Sequence, residues 1–309
     1  MKKEKNDIRV EMYRAEEYYY PFVQVDYMDQ DAQEHTGLMI LDSGSSVSLL
    51  SNEMASYLGT LSKVKDETMT IIAFSQHTIN TDVVRFSFAF GGRQFHESFA
   101  LSTKALPVQV EGMKVLGLLG VCFLKQHNLA IDYSDYTLHT SDVNPGNLKI
   151  TDCAFFFPME IGLKHYEVPV LAVKQNGKEI VTLLDTGASS NMIAEHTLME
   201  NGFKCLRTGE KECIYDITGA VEVKKATVRF KMLSLGGNTV FEQVRYDRFD
   251  VLPWNIYTPE NEDDSDEDQV PPIEVLIGSP FMAEEGWILD FGAKIVYKLK
   301  DVDYLKEVA

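Results

Sequence analysis

Apolar and polar residues alternate in short runs along most of the chain. In residues 22–27, Phe22, Val23, Val25 and Tyr27 are interrupted by Gln24 and Asp26, and in 83–90 Phe86, Phe88 and Phe90 recur at every second position. A period of two puts one set of side chains on one face of a pleated strand. The same reading gives strands at 38–41, 68–72, 170–174, 181–184, 213–217 and 226–233. Only short stretches, 51–58 and 194–201, read as helices, each stopped by a glycine, Gly59 or Gly202. Gly91-Gly92 and Gly236-Gly237 lie between alternating runs and predict tight hairpins. The pattern predicts a mostly β fold.

The pattern also repeats. Ile40-Leu41-Asp42-Ser43-Gly44-Ser45-Ser46 matches Leu183-Leu184-Asp185-Thr186-Gly187-Ala188-Ser189, and the same spacing pairs Gly59 with Gly202. Val84-Arg85-Phe86 then matches Val228-Arg229-Phe230, and the two Gly-Gly pairs follow in step. Leu118-Leu119-Gly120 matches Leu276-Ile277-Gly278, with Phe123/Phe281, Ile131/Leu289, Asp132/Asp290 and Tyr133/Phe291 keeping that register. A duplication is the economical reading. It divides the chain into a first half at 1–140, a linker at 141–148 around Asn144-Pro145-Gly146, and a second half at 149–309. The second half carries an acidic insertion at 258–272.

Composition narrows the function. With 309 residues and 45% apolar content, each half can bury its own core. The net charge of −18 argues against nucleic-acid binding, which needs clustered Lys and Arg for phosphate contacts. No run is long and apolar enough to span a bilayer. The first residues, MKKEKNDIRVEM, lack the apolar run of a signal peptide, so the cytoplasm is expected if Met1 is the native start and an extracytoplasmic site if a leader was removed. Cys122, Cys153, Cys205 and Cys213 are too sparse for a disulfide framework; free buried thiols are expected, with a Cys205–Cys213 bridge as the alternative.

Other chemistries lack their residues. The seven histidines show no His-Glu-x-x-His spacing, and there is no Gly-x-Ser-x-Gly elbow or phosphate-cradling loop. Asp263-Asp264-Ser265-Asp266 lacks the glycine and distal Glu of a calcium loop, so neither a metal nor a cofactor is expected. What remains is Asp-Ser/Thr-Gly, twice, each after an apolar pair and each answered later by an apolar-apolar-Gly element.

On those motifs the sequence resembles the pepsin and retropepsin superfamily of aspartic peptidases. Leu118-Leu119-Gly120-Val121-Cys122-Phe123-Leu124 resembles the closing elements of the retroviral branch, and Pro169-Val170-Leu171-Ala172-Val173 resembles its opening. The resemblance implies a bilobal acid-protease fold, two homologous β-barrel-like lobes related by a pseudo-twofold axis. It implies an endopeptidase whose Asp42 and Asp185 share one proton, because two adjacent carboxylates cannot both ionise. Ser43, Gly44, Thr186 and Gly187 would support that dyad. Substrate-covering hairpins would fall at 71–79 and 214–223, with Phe74, Ser75, Tyr215 and Gly219 as the residues facing substrate. Ser45 would place a hydroxyl on its carboxylate where Ala188 cannot. Asp132 and Asp290 are expected to be structural. The implied partner is a peptide or protein substrate, and both lobes in one chain imply a monomer. The alternative is a peptide-binding protein on the same fold with weak or absent turnover. Residues 1–20 would either cover the cleft or supply the first strand.

Overall fold

The apolar run Leu38-Met39-Ile40-Leu41 is buried along its whole length, and so is Val115-Leu116-Gly117-Leu118-Leu119. These runs end the strands Glu34–Leu41 and Met113–Leu119, which pair in parallel and are covered on both faces. In this computed structural model the described residues are 7–15, 20–55, 62–72, 78–102, 109–141, 153–159, 168–175, 178–216, 219–232, 243–258 and 271–299.

The first half builds one antiparallel-rich sheet. Its order is Phe22–Met28, Glu34–Leu41, Met113–Leu119, Leu49–Ser51, Arg93–Ser102, Thr78–Phe90 and Ser62–Ile72, with Gln109–Val110 beside Met113–Leu119. A further pairing of Asp26 with Ala89 and Tyr27 with Phe88 closes this sheet into a barrel. Gly91 and Gly92 have φ of +56° and +72°, the left-handed pair that a two-residue hairpin needs, and Phe90 lies opposite Arg93. Alternation then sends Phe86, Phe88 and Phe90 to one face, where they meet Phe95, Phe99 and Phe123; the Phe90 and Phe95 rings stack at 4.6 Å.

The second half repeats the plan in a seven-stranded sheet. Its order is Val170–Gln175, Lys178–Asp185, Ile273–Gly278, Asn191–Ala194, Gln243–Leu252, Gly219–Met232 and Lys204–Asp216. Here too the strand that leads to the aspartate runs parallel to the strand that leads to the glycine, with Asp185 opposite Gly278. Gly236-Gly237 lies outside the described residues, as do 142–148 of the expected linker and 259–270 of the acidic insertion.

A third sheet of six strands joins the halves: Arg9–Glu11, Thr137–Thr140, Leu129–Asp132, Ile288–Asp290, Ile295–Leu299 and Cys153–Pro158. Ile131 and Leu289, equivalent in the repeat, lie opposite each other at its centre. The pseudo-twofold axis therefore passes through this pair. The N-terminal segment supplies an edge strand of the sheet, and Tyr13 then bridges to Phe22. One continuous apolar core runs from the phenylalanine stack of the first half to Phe281, Trp287 and Phe291 of the second. The fold is mostly β and bilobal.

The expected helices begin one residue later than read, at Asn52 and Glu195, because Leu49–Ser51 and Asn191–Ala194 are strands inserted between neighbours; the second ends at Glu200, and 56–58 of the first lie outside the described residues. The cysteines correct a second expectation. Cys122, Cys205 and Cys213 are free but exposed, not buried. Cys205 and Cys213 share one bulged strand and lie opposite Val228 and Glu222, which separates them by roughly 20 Å, far beyond the reach of a disulfide.

Candidate active site

Asp42 follows the last residue of its strand, and its N–H donates to Leu119 O at 3.0 Å. Asp185 ends the equivalent strand of the other half. The loops that follow come together at the axis and grip each other. Ser43 N–H donates to Thr186 Oγ1 and Thr186 N–H donates to Ser43 Oγ, both at 2.9 Å. Each hydroxyl then donates across the axis to a backbone carbonyl, Ser43 to Leu184 O at 2.6 Å and Thr186 to Leu41 O at 2.7 Å. Both side chains are fully buried, so the four bonds replace water completely.

The grip presses each carboxylate against the opposite loop. A Cβ on Gly44 would meet the Asp185 carboxylate at 2.3 Å, and one on Gly187 would meet the Asp42 carboxylate at 2.5 Å. Only glycine fits at either place. Each carboxyl group is thereby brought beside the loop that carries the other. Burial pushes the Asp42 carboxyl up, offset by N–H groups of Gly44 and Ser45, which donate to its Oδ1 at 2.8 and 3.1 Å. Burial and then the Asp42 charge hold the Asp185 carboxyl well above the usual range, offset in part by Gly187 N–H, which donates to it at 2.8 Å, and by Gly44 N–H of the opposite loop. The Asp42 charge, which raises Asp185, is the difference between the two sites.

One expectation about this loop is corrected. The Ser45 hydroxyl does not touch a carboxylate; it turns away and donates to Val47 O at 2.8 Å. The backbone N–H of residue 45, which any residue but proline carries, does the work assigned to the hydroxyl. Ala188 is therefore not a lost donor.

Behind the loops, Gly120 and Gly278 allow close approach, since a Cβ would stand 2.3 Å from Val47 O and 2.5 Å from Ser190 O. Their N–H groups are held by Ser48 Oγ at 3.1 Å and Asn191 Oδ1 at 2.9 Å, two equivalent positions of the repeat. Asp132 and Asp290 hold turns. Asp132 accepts from Ser134 N–H and hydroxyl, and Asp290 from Ser141 hydroxyl and Ala293 N–H.

Of the four residues expected to face substrate, Phe74 and Ser75 lie outside the described residues. Their hairpin is defined by its base, with Ile71 opposite Ile79. Tyr215 pairs with Ala220 and Gly219 with Asp216 at the end of the second hairpin. Both hairpins rest on apolar clusters that reach the aspartate loops: Met69 and Ile71 pack in the cluster with Val47 and Leu118, and Ile214, Val221 and Val223 in the cluster with Ala188 and Leu276.

Sequence reasoning passed over two buried polar groups nearby. The fully buried Asp250 takes Ser190 Oγ at 2.5 Å and Lys225 Nζ at 2.5 Å, and Lys225 also reaches Glu212 at 2.7 Å. Tyr133 OH meets Ser279 Oγ at 2.6 Å. No local motif marks either, because their partners are 60 and 146 residues apart. Among the described residues no three His, Cys, Asp or Glu side chains converge as a metal site would need, and no helix is long and apolar enough to cross a membrane.

Residues 171–281 match the sequence model of the Aspartyl protease family. No curated protein sequence matches the chain. Among solved structures, basic 7S globulin from soybean superposes with a TM-score of 0.52 at 11% identity, over 95% of both chains. The aspartic proteinase from Irpex lacteus gives 0.51 at 11% identity, over 95% of this chain and 97% of that one. The family match, within the second half, and the fold over nearly the whole chain are both similar to those of the pepsin and retropepsin superfamily.

Proposed function

We propose that this chain is an aspartic endopeptidase in which Asp42 and Asp185 form the catalytic dyad. The halves 1–140 and 149–309 act as its two lobes, and an extended peptide lies between them under the hairpins. The observation that supports this reading is the seating of each carboxyl group against the glycine of the opposite loop, with burial pushing both above the usual carboxylate range. Such a pair holds one proton where two isolated aspartates would hold none.

The shared proton supplies both halves of the chemistry. Asp42, the charged partner, takes a proton from water as the oxygen attacks the scissile carbonyl carbon. Asp185 gives its proton to the carbonyl oxygen, so the tetrahedral intermediate forms neutral. Return of a proton to the amide nitrogen then lets the C–N bond break. Ser43, Thr186, Gly44 and Gly187 keep the carboxylates in register, which is where positioning enters the rate. Both aspartates lie in one chain, so a monomer suffices. No metal or cofactor takes part.

A second reading is peptide binding without useful turnover. The likeness to a soybean protein named a globulin favours it. The two readings part on a statine-type transition-state mimic, whose hydroxyl sits where the attacking water would. An endopeptidase binds it, and Asp42→Asn and Asp185→Asn each weaken that binding. A binding protein without the dyad's chemistry binds the mimic no more tightly than the matching substrate peptide.

A further inference from the structure

The backbone under the two aspartate loops obeys the twofold axis closely. Tyr133 N–H donates to Trp287 O at 3.0 Å, and its equivalent Phe291 N–H donates to Leu129 O at 3.0 Å. Val121 N–H donates to Ser45 O at 2.8 Å, and its equivalent Ser279 N–H donates to Ala188 O at 3.0 Å. The side chains at these four positions do not obey it. On one side stand Phe291 and Val121, both buried carbon in the central core. On the other, Tyr133 OH and Ser279 Oγ meet at 2.6 Å, with Tyr133 4% and Ser279 0% exposed. A hydroxyl of the first half thus enters the floor of the second, at the residue whose N–H holds the Asp185 loop.

We propose that the Tyr133–Ser279 hydroxyl pair is a positioning device that ties the second aspartate loop to the first lobe and sets how readily the dyad releases its shared proton. The proposal deepens the peptidase reading and rests on it. Two links carry it. Through Ser279, Tyr133 is connected by hydrogen bonds to Ala188, three residues beyond Asp185, so the lobe interface and the loop move together. The pair also stands within electrostatic reach of the dyad. Burial raises the Tyr133 hydroxyl well above its ordinary range, the hydrogen bond to Ser279 offsets part of that, and the charges of Tyr136 and Asp185 raise it further. The Tyr136 ring packs edge-on against Tyr133 at 5.8 Å, with Arg14 beyond it at 5.4 Å. Asp42 is the other titrating group at Asp185.

The sign follows from the dipoles. Rotatable hydroxyls lower the cost of a nearby negative charge relative to carbon. Replacing them by carbon therefore makes the dyad hold its proton to higher pH.

The symmetry supplies the variants. Tyr133→Phe with Ser279→Val reproduces the carbon pair found at Phe291 and Val121. Each single variant strands one buried hydroxyl and lowers Tm by about 2–4 °C or more, whereas the double strands none and recovers most of that loss. The readout is ¹³C NMR of labelled aspartate carboxyls, followed against pH in the folded protein without substrate. The double variant is expected to move the upper ionisation of the dyad up by about 0.5 pH unit or more, even though its Tm has recovered. A midpoint unchanged in the double variant would overturn the proposal, because a merely structural pair is fully replaced by carbon. If the double variant does not fold, Tyr133→Phe alone carries the test, with the same shift expected and the same null overturning it. Two aspartates titrating independently in the ordinary range in the wild type would overturn the peptidase reading itself, and the proposal with it.

Discussion

Gly44 lies directly against the carboxylate of Asp185, so closely that a Cβ on the glycine would stand 2.3 Å from the Asp185 Cγ. Gly187 stands in the same relation to Asp42. Each aspartate is thus seated on the glycine of the opposite loop, and the crossed hydroxyls of Ser43 and Thr186 keep it there. The proximity that raises Asp185 above its burial alone is a product of the two glycines and the two hydroxyls together.

Gly44→Ala tests that seating. The methyl cannot be accommodated without pushing Asp185 away by an ångström or more, and such a misplacement costs about 10²-fold in rate. Peptide hydrolysis is expected to fall by about that factor while far-UV circular dichroism stays as in the wild type. Wild-type turnover in the variant would mean that the two carboxylates do not work from this arrangement.

The raised dyad also has a thermodynamic sign. A carboxyl whose folded pKa exceeds its unfolded value binds its proton more tightly when folded. The stability it lends is complete below the unfolded value of about 3.8 and is lost as the pH rises through the folded one. At neutral pH the charged dyad therefore costs folding free energy. Asp185→Asn, which cannot ionise, is expected to raise Tm at pH 7, with the gain shrinking as the pH falls towards 3.8. Equal melting temperatures across that range would show that Asp185 is not raised.

Much of this was legible in the sequence because the duplication states each feature twice. Asp42 and Asp185, their glycines, the Leu-Leu-Gly and Leu-Ile-Gly strands and the Gly91-Gly92 hairpin follow from local patterns that register alone identifies. The short strands Leu49–Ser51 and Asn191–Ala194 were not legible, since they exist only by pairing with neighbours distant in sequence. The Ser45 hydroxyl was misjudged because composition cannot say which way a hydroxyl turns when a nearer carbonyl, Val47 O, competes. Cys122 reads as a small apolar residue, yet it falls on the outer face of its helix, and Cys205 and Cys213 fall on a strand at the sheet edge.

The Lys225–Asp250 pair is the clearest case of a contact without a motif. Asp250 is fully buried, so removing its cation leaves a charge in the interior. Lys225→Met is expected to cost about 3–5 kcal/mol in denaturant unfolding. Adding Asp250→Asn neutralises the stranded charge, keeps an acceptor for Ser190, and is expected to restore more than half of the loss. A Lys225→Met variant as stable as the wild type would show the pair to be open to water.

The acidic insertion at 258–272 has a defined base. Tyr257 and Ile273 exchange two backbone hydrogen bonds, at 3.3 and 2.8 Å, and both belong to the apolar cluster that includes Ala188. The base of the insertion therefore lies beside the second aspartate loop. Replacing 260–268 with a Gly/Ser linker is expected to lower kcat/KM for Lys- and Arg-rich peptides at low salt and to leave neutral peptides unchanged. The difference closes near 0.1 M salt and above, where screening acts over about 10 Å. Equal effects on both peptide classes would assign the segment no part in substrate encounter.

The most direct measurement is cleavage of a peptide library by the wild type beside Asp42→Asn and Asp185→Asn, from about pH 3 to pH 7. The dyad predicts cleavage by the wild type with a bell-shaped pH profile, and a loss of about 10²–10⁴-fold in either variant, with the folded state intact. Comparable cleavage of the same bonds by either variant, or none by the wild type at any pH, would contradict it.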